Sequence, residues 1–354
     1  MNSLPSILLL VIFLGCAAGI WTAGIQLSDT TDVLSQRLHL GTALGGVILL
    51  AVATNLPEIA ITASAALAHQ VDVAVGNILG GIAIQTVVLV ILDAAGVRPR
   101  KPLTYLAASL TLLLEGAIVV ALLLVVVMST QLPASLIAFR LTPGAVLIAV
   151  LWGLGLLLLR RAAHGLPWHE GGDAPDNQEK PRGHSRTTKE SQATQKGIST
   201  ARAGLIFAAA AAVTLVAGVF IERSGEELFG RFGMSGVLFG ATVLAAATSL
   251  PELSTGLTST RLGDYQLAIS DIFGGNAFLP VLFLLATVLS GQAVLPRAHH
   301  TDIYLTALGA LLTVVYMIGL VFRPQRQFAR MGADSITVLV LYAIGITGLA
   351  FIAR

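Results

Sequence analysis

Apolar residues in this chain come in long blocks separated by short polar turns, and nowhere in a sustained two-residue alternation. Ten blocks, near residues 4–23, 40–66, 74–95, 103–127, 141–160, 201–221, 233–260, 267–290, 301–322 and 335–353, are each long enough to cross about 30 Å of hydrocarbon as a helix. The alternating segments of about ten residues that a membrane barrel requires do not occur. One polar stretch stands apart: residues 161–200 are rich in Gly, Pro, Gln, Ser, Thr and charge, with almost nothing to bury, and predict a flexible linker. The pattern divides the chain into a first half, 1–160, with spans one to five, and a second half, 201–354, with spans six to ten.

The two halves contain copies of one segment. Residues 44–83 align without a gap onto 238–277 at an offset of 194, with 14 of 40 positions identical. The identities concentrate on Thr54-Asn55-Leu56-Pro57-Glu58 and Thr248-Ser249-Leu250-Pro251-Glu252. These pentapeptides fall on spans two and seven. An odd offset of five spans makes the copies cross the membrane in opposite directions, so the expected fold is an all-α membrane protein built as two inverted five-helix repeats. Such repeats bring equivalent residues together near the midplane and offer two related conformations, open to either side.

Composition agrees with a membrane protein, at 55% hydrophobic and 11% charged residues, against roughly 25% charged in soluble domains. The net charge of +2 suggests no nucleic-acid partner. Cys16 is the only cysteine, which excludes an intrachain disulfide and a multi-cysteine metal site. The first apolar block has no Lys or Arg ahead of it and is read as a retained span, not a signal peptide; the residues before Cys16 resemble a lipoprotein box only loosely. With the amino terminus outside, one face collects 16 Lys and Arg residues, eight of them between Arg160 and Arg202, and the other face five. The positive-inside bias then makes the linker cytoplasmic and both termini external, in what is expected to be the plasma (inner) membrane.

The chemistry sits at the pentapeptides. Pro57 and Pro251 have no N–H to give the carbonyls of Ala53 and Ala247, and a free carbonyl in hydrocarbon is costly unless it faces protein, water or a cation. Thr54 and Glu58, like Thr248 and Glu252, are four residues apart and share a helical face. No Lys or Arg lies within either span to neutralise the acids, so intramembrane function outweighs a structural reading by about nine to one. Asn55 and Ser249 within the motifs, and Asn77, Gln85, Asp271 and Asn276 around the glycine pairs Gly80-Gly81 and Gly274-Gly275, complete an all-oxygen set. Such a set suits hard cations such as Ca²⁺ or Na⁺, not zinc or copper.

The paired TNLPE and TSLPE motifs, each followed some twenty residues later by a second glycine-containing element, resemble the two alpha repeats of the sodium/calcium exchanger family within the cation/calcium antiporter superfamily. That resemblance implies ten spans, external termini and exchange of Ca²⁺ for Na⁺, or for protons in some branches. It implies Glu58 and Glu252 as central ligands, with Thr54 and Thr248 adding oxygens. Carbonyls of Ala51 and Ala245 would serve flanking sodium sites, and spans one and six would be sliding gates. The chain departs from the family pattern where Gly-Ser is usual in spans three and eight, since both serines are replaced by Gly81 and Gly275. Four residues further on, Gln85 and Leu279 stand where Asn or Asp is expected. Two glutamates balance one Ca²⁺, two Na⁺ or two protons, so an electroneutral exchange is expected unless Asp271 reaches the site.

Other residues carry weaker signals. Glu115 in span four has no counterpart, because residue 309 is Gly; a proton relay and a neutral helix-to-helix hydrogen bond are equally expected. Asp93 at the end of span three is expected to be solvated, His299-His300 to be surface residues, and Glu222, Glu226 and Glu227 to face outside and concentrate cations. The leading function is Na⁺/Ca²⁺ antiport. A monovalent cation/proton (Na⁺/H⁺) or Ca²⁺/H⁺ antiporter is the alternative, and a channel, a cation sensor and an intramembrane hydrolase are further competitors. The hydrolase lacks an HExxH motif and leaves the repeat unexplained. No cofactor and no obligate protein partner are expected; the partners are Ca²⁺ with Na⁺ or H⁺, and lipid.

Overall fold

The computed structural model describes residues 4–37, 51–97, 101–107, 109–162, 165–168 and 199–353. Among these the chain is helical, with two single β-bridges and no strands. The helices are α1 Ser6–Arg37, α2 Leu56–Leu67, α3 Val71–Ile91, α4 Leu103–Ala107, α5 Leu110–Thr130, α6 Pro143–Ala162 and α7 Thr200–Gly230. They continue with α8 Gly236–Thr248, α9 Leu250–Leu262, α10 Tyr265–Phe278, α11 Leu282–Ser290, α12 His300–Phe322 and α13 Ala333–Ile352. A π-helical turn, Leu92–Gly96, extends α3, and another, Gly240–Leu244, lies within α8.

Eight of the described helical stretches are long and apolar enough to span a membrane, nine if the bent pair α8–α9 is one span. The apolar block 40–66 is described only from Ala51, so its first part and most of the linker 161–200 lie outside the described residues. Near 103–127 the expected single span is divided into α4 and α5. Ser109 caps α5 by accepting from the Leu112 N–H, which starts a new helix there.

Burial separates inner from outer helices. The stretch Val71–Gly96 is mostly buried, whereas α6 and α13 are mostly exposed and present the greater part of their apolar surface outward. The main core packs α3 and α10 against α5 and α12, with Leu79, Phe273, Leu312 and Tyr316 at its centre. On the other side of α2 and α9, α1 and α7 lie along one another as the most extensive helix pair.

The second copy repeats the first in backbone detail. The chain breaks at Asn55 (φ −86°, ψ 13°) and at Ser249 (φ −80°, ψ 7°), each followed by a helix with proline in its first turn, where the missing N–H costs nothing. Gly24 of α1 packs on Pro251, with 2.8 Å between its notional Cβ and the proline Cβ; Gly218 of α7 packs on Pro57, with 3.2 Å to the Pro57 carbonyl. The two glycines are 194 residues apart, the offset of the motifs. The turns joining α5 to α6 and α12 to α13 match as well, through the bridges Ala138↔Leu141 and Phe328↔Met331 with positive φ at Phe139, Arg140, Ala329 and Arg330.

Asp93 is not solvated as expected. It is 1% exposed, because its carboxylate collects donors from three elements: the Leu103 N–H at 2.8 Å, the Gly332 N–H at 2.7 Å and the Ser335 hydroxyl at 2.7 Å. Asp334 beside it accepts from the Thr104 hydroxyl and the Ser335 N–H. This clamp ties the end of α3 to α4 and to the start of α13. Asp93→Ala is expected to strand three donors at a cost of roughly 3 kcal/mol, lowering the thermal midpoint of the detergent-solubilised protein. Asp93→Asn should recover part of the loss, and an unchanged midpoint in the alanine variant would contradict the clamp.

Candidate cation site

The two proline breaks place the motif acids against each other. Glu58, in the first turn of α2, and Glu252, in the first turn of α9, are both fully buried, and the charge of Glu58 acts directly on Glu252. Each copy's threonine reaches across to the other copy's acid, Thr248 toward Glu58 and Thr54 toward Glu252. Both Glu58 carboxyl oxygens and Glu252 Oε2 are buried without a hydrogen-bond partner. Among the described residues the ion pairs are Arg231–Glu227 and His299–Asp72, and neither involves these acids. A buried carboxylate with no basic neighbour requires a cation or a proton.

The breaks are held by the residues that the motif supplies. The Asn55 side-chain amide donates to the Ala51 carbonyl at 2.7 Å and the Thr54 hydroxyl to the same oxygen at 3.3 Å. In the second copy the Ser249 hydroxyl donates to the Ala245 carbonyl at 2.8 Å and the Thr248 hydroxyl at 3.2 Å. The backbone N–H groups of Asn55 and Ser249 also end on those carbonyls. The alanine carbonyls that the resemblance assigns to flanking sodium sites are thus already engaged by three donors each.

Gln85 and Leu279 occupy equivalent positions and make the site lopsided. The Gln85 amide donates to Asn55 Oδ1 at 3.3 Å and to Glu252 Oε1 at 3.4 Å. Gly275 opposite explains why both amides fit: a Cβ there would lie 3.0 Å from Asn55 Nδ2 and 3.1 Å from Gln85 Oε1. On the symmetry-related side a Cβ on Gly81 would meet the Leu279 side chain at 3.2 Å, so an apolar group replaces the amide.

Asp271 does reach the site electrostatically. Its Oδ2 accepts from Thr255 at 2.6 Å, its Oδ1 has no partner, and its charge acts on Glu252. A third carboxylate thus bears on Glu252 from outside the central pair, and two monovalent ions per divalent no longer follows from the charge of that pair alone. Asn276 lies farther round α10, donating to Thr86 at 3.1 Å, and Asn77 is buried with both amide atoms unpartnered where α3 packs on the π-turn of α8. Neither has a hydrogen bond to the two glutamates.

Some residues near the site escape a reading by motif. Thr255, three positions after Glu252, shares its helical face and could have been found by that spacing. Glu222, expected on the outer surface, is 1% exposed, because α7 packs lengthwise on α2 and turns this residue toward Ser64. No local pattern signals that packing.

Residues 8–160 and 202–351 match the model of the family described as sodium/calcium exchanger protein. A putative antiporter, CaxA, of Alkalimonas amylolytica is 28% identical over 318 residues, covering 89% of this chain and 92% of that protein. Among solved structures, the sodium-calcium exchanger NCX_Mj superposes with a TM-score of 0.60 at 15% identity, over 97% of this chain and 99% of that one. The H+/Ca2+ exchanger CAX superposes with a TM-score of 0.64 at 12% identity, over 98% and 86%. With both halves matched by one family model and the fold shared along its length, the chain belongs to the sodium/calcium exchanger family.

Proposed function

We propose that this protein is a ten-span secondary antiporter, two inverted five-helix repeats, that exchanges Ca²⁺ for a monovalent cation by alternating access through one midplane site built by Glu58 and Glu252. The observation that carries the proposal is the pair of symmetry-related, fully buried glutamates with unpartnered oxygens and no basic neighbour among the described residues. Thr54, Thr248, Asn55, Gln85 and Asp271 supply the further oxygens that a Ca²⁺ ion with six to eight ligands needs. Ser249 holds the second break open as Asn55 holds the first. The gate is the α1–α7 pair, which touches each motif through a glycine on its proline and so can slide with little side chain in the way. The distribution of Lys and Arg supports a cytoplasmic linker and external termini in the plasma membrane.

Na⁺ is the counter-ion implied by the resemblance. A proton is the second reading, favoured by the three donors on each alanine carbonyl and by glycine at the two positions where a hydroxyl would serve sodium. With three carboxylates about the site, three monovalent charges can also be balanced. In liposomes loaded with Na⁺, or with a pH gradient, ⁴⁵Ca²⁺ uptake should depend on the outward gradient and fall at least a hundredfold in Glu58→Gln and in Glu252→Gln, about 2.7 kcal/mol or more of lost stabilisation. Uptake that persists in either variant would contradict the site, and uptake without counter-transport would indicate a channel.

Gln85→Leu copies the Leu279 side of the site onto the other half. It removes an amide from Glu252 and Asn55 while keeping similar volume, and is expected to weaken Ca²⁺ binding about tenfold, near 1.4 kcal/mol, in a calorimetric titration of the purified protein. An unchanged affinity would show that Gln85 only packs.

A further inference from the structure

Glu115 lies on α5, outside the duplicated framework, since its equivalent is Gly309, which packs on Ile82 and Leu123. It is 8% exposed; Oε1 accepts from the Ser270 hydroxyl at 2.9 Å, and Oε2 is buried without a partner. A cavity of about 40 Å³ opens beside it, lined by Glu115, Ala51, Trp152, Phe273, Gly274 and Ala277. The space is large enough to admit water, and the one carboxyl a water would meet there is that of Glu115, with its unpartnered oxygen. Its lining includes Ala51, whose carbonyl holds the first break, and Gly274 of the second glycine pair.

The chemistry of this chamber differs from that of the central site. Its lining offers one carboxyl, that of Glu115, among otherwise largely apolar residues; that is too few oxygens for a metal cation that wants six or more, while a proton needs only one. No other charge acts on Glu115. α6 faces it with Trp152 and Gly155, α12 packs Met317 on the neighbouring Gly116, and α10 contributes Ser270. The residue after Ser270 is Asp271, whose free Oδ1 and influence on Glu252 connect the chamber to the central acids. If Glu115 served only to join α5 to α10 through Ser270, neither the second oxygen nor the water-sized space beside it would be accounted for.

We infer that Glu115 is a proton-binding site of the transport cycle, reached through this chamber and separate from the central Ca²⁺ site. The inference rests on the antiporter reading above and settles its counter-ion as H⁺. When Ca²⁺ enters between Glu58 and Glu252, the O–H bond of the Glu115 carboxyl breaks, the proton passes to a water entering the cavity, and a carboxylate remains; reprotonation from the opposite side completes the exchange.

The test compares two fluxes in proteoliposomes of the full chain: ⁴⁵Ca²⁺ uptake driven by a pH gradient, and ⁴⁵Ca²⁺/⁴⁰Ca²⁺ self-exchange, which needs no counter-ion. Glu115→Gln should lose the first at least tenfold and retain the second, and Glu115→Asp should restore gradient-driven uptake in part. Infrared difference spectra of the purified protein should show protonated-carboxyl absorbance lost on adding Ca²⁺, and the Glu115→Gln variant should lack one component of it, the remainder coming from Glu58 and Glu252. Gradient-driven uptake retained in Glu115→Gln overturns the inference, as does an undiminished Ca²⁺-sensitive band in that variant, whether or not its fluxes survive. A wild type that self-exchanges Ca²⁺ but ignores the pH gradient overturns it while leaving the antiporter reading intact; a wild type that moves no Ca²⁺ at all overturns both.

Discussion

Burying a carboxylate without a counter-charge is among the costliest things a membrane protein can do, and among its described residues this chain does it twice, at equivalent positions of the two sequence copies. Glu58 and Glu252 lie one residue beyond prolines that break their helices, each against the other copy's threonine, with unpartnered oxygens. Much of the surrounding architecture serves that arrangement. The prolines fix where α2 and α9 begin, Asn55 and Ser249 bind back to Ala51 and Ala245 so that the breaks keep one geometry, and Gly24 and Gly218 let α1 and α7 lie close over the breaks. Among the described residues no basic group satisfies the pair, and in the proposed function the cost of their burial is the source of affinity for a transported cation.

The duplication is close in backbone and loose in chemistry. Breaks, proline contacts and bridged turns recur, but Gln85 faces Leu279, Asp271 faces Asn77, and Glu115 faces Gly309 across the repeat relation. Of the acids beyond the central pair, Asp271 acts on Glu252, and Glu115 is tied by Ser270 to the same helix, α10. Two equivalent half-sites would bind ions alike. Here Gln85 and Asp271 both act on Glu252, while the equivalent of Gln85 is the apolar Leu279 against Gly81.

What was legible in the sequence is what local rules control. Proline after Leu56 and Leu250, an acid one residue later and a threonine one turn earlier specify the breaks and the faces, and block length specifies eight or nine of the ten expected spans among the described residues. What was not legible depends on contacts distant in the chain. Asp93 is a typical helix-end acid until Gly332 and Ser335 arrive from the far end of the protein to bind it. Glu222 follows an apolar run in which nothing signals that α7 continues to Gly230 and lays this residue on α2. Asp271 was placed correctly on its helix, yet its influence on Glu252 follows from the packing of α9 against α10, set by side chains with no motif of their own.

The central claim is that one ion site is shared between the two copies. It is tested most directly by equilibrium Ca²⁺ binding to the purified protein in a double-mutant cycle of Glu58→Gln, Glu252→Gln and the combined variant. The account predicts one Ca²⁺ per chain in the wild type, a similar loss in each single variant and little further loss in the double. Two Ca²⁺ per chain, or losses that simply add, would show two independent sites and contradict it.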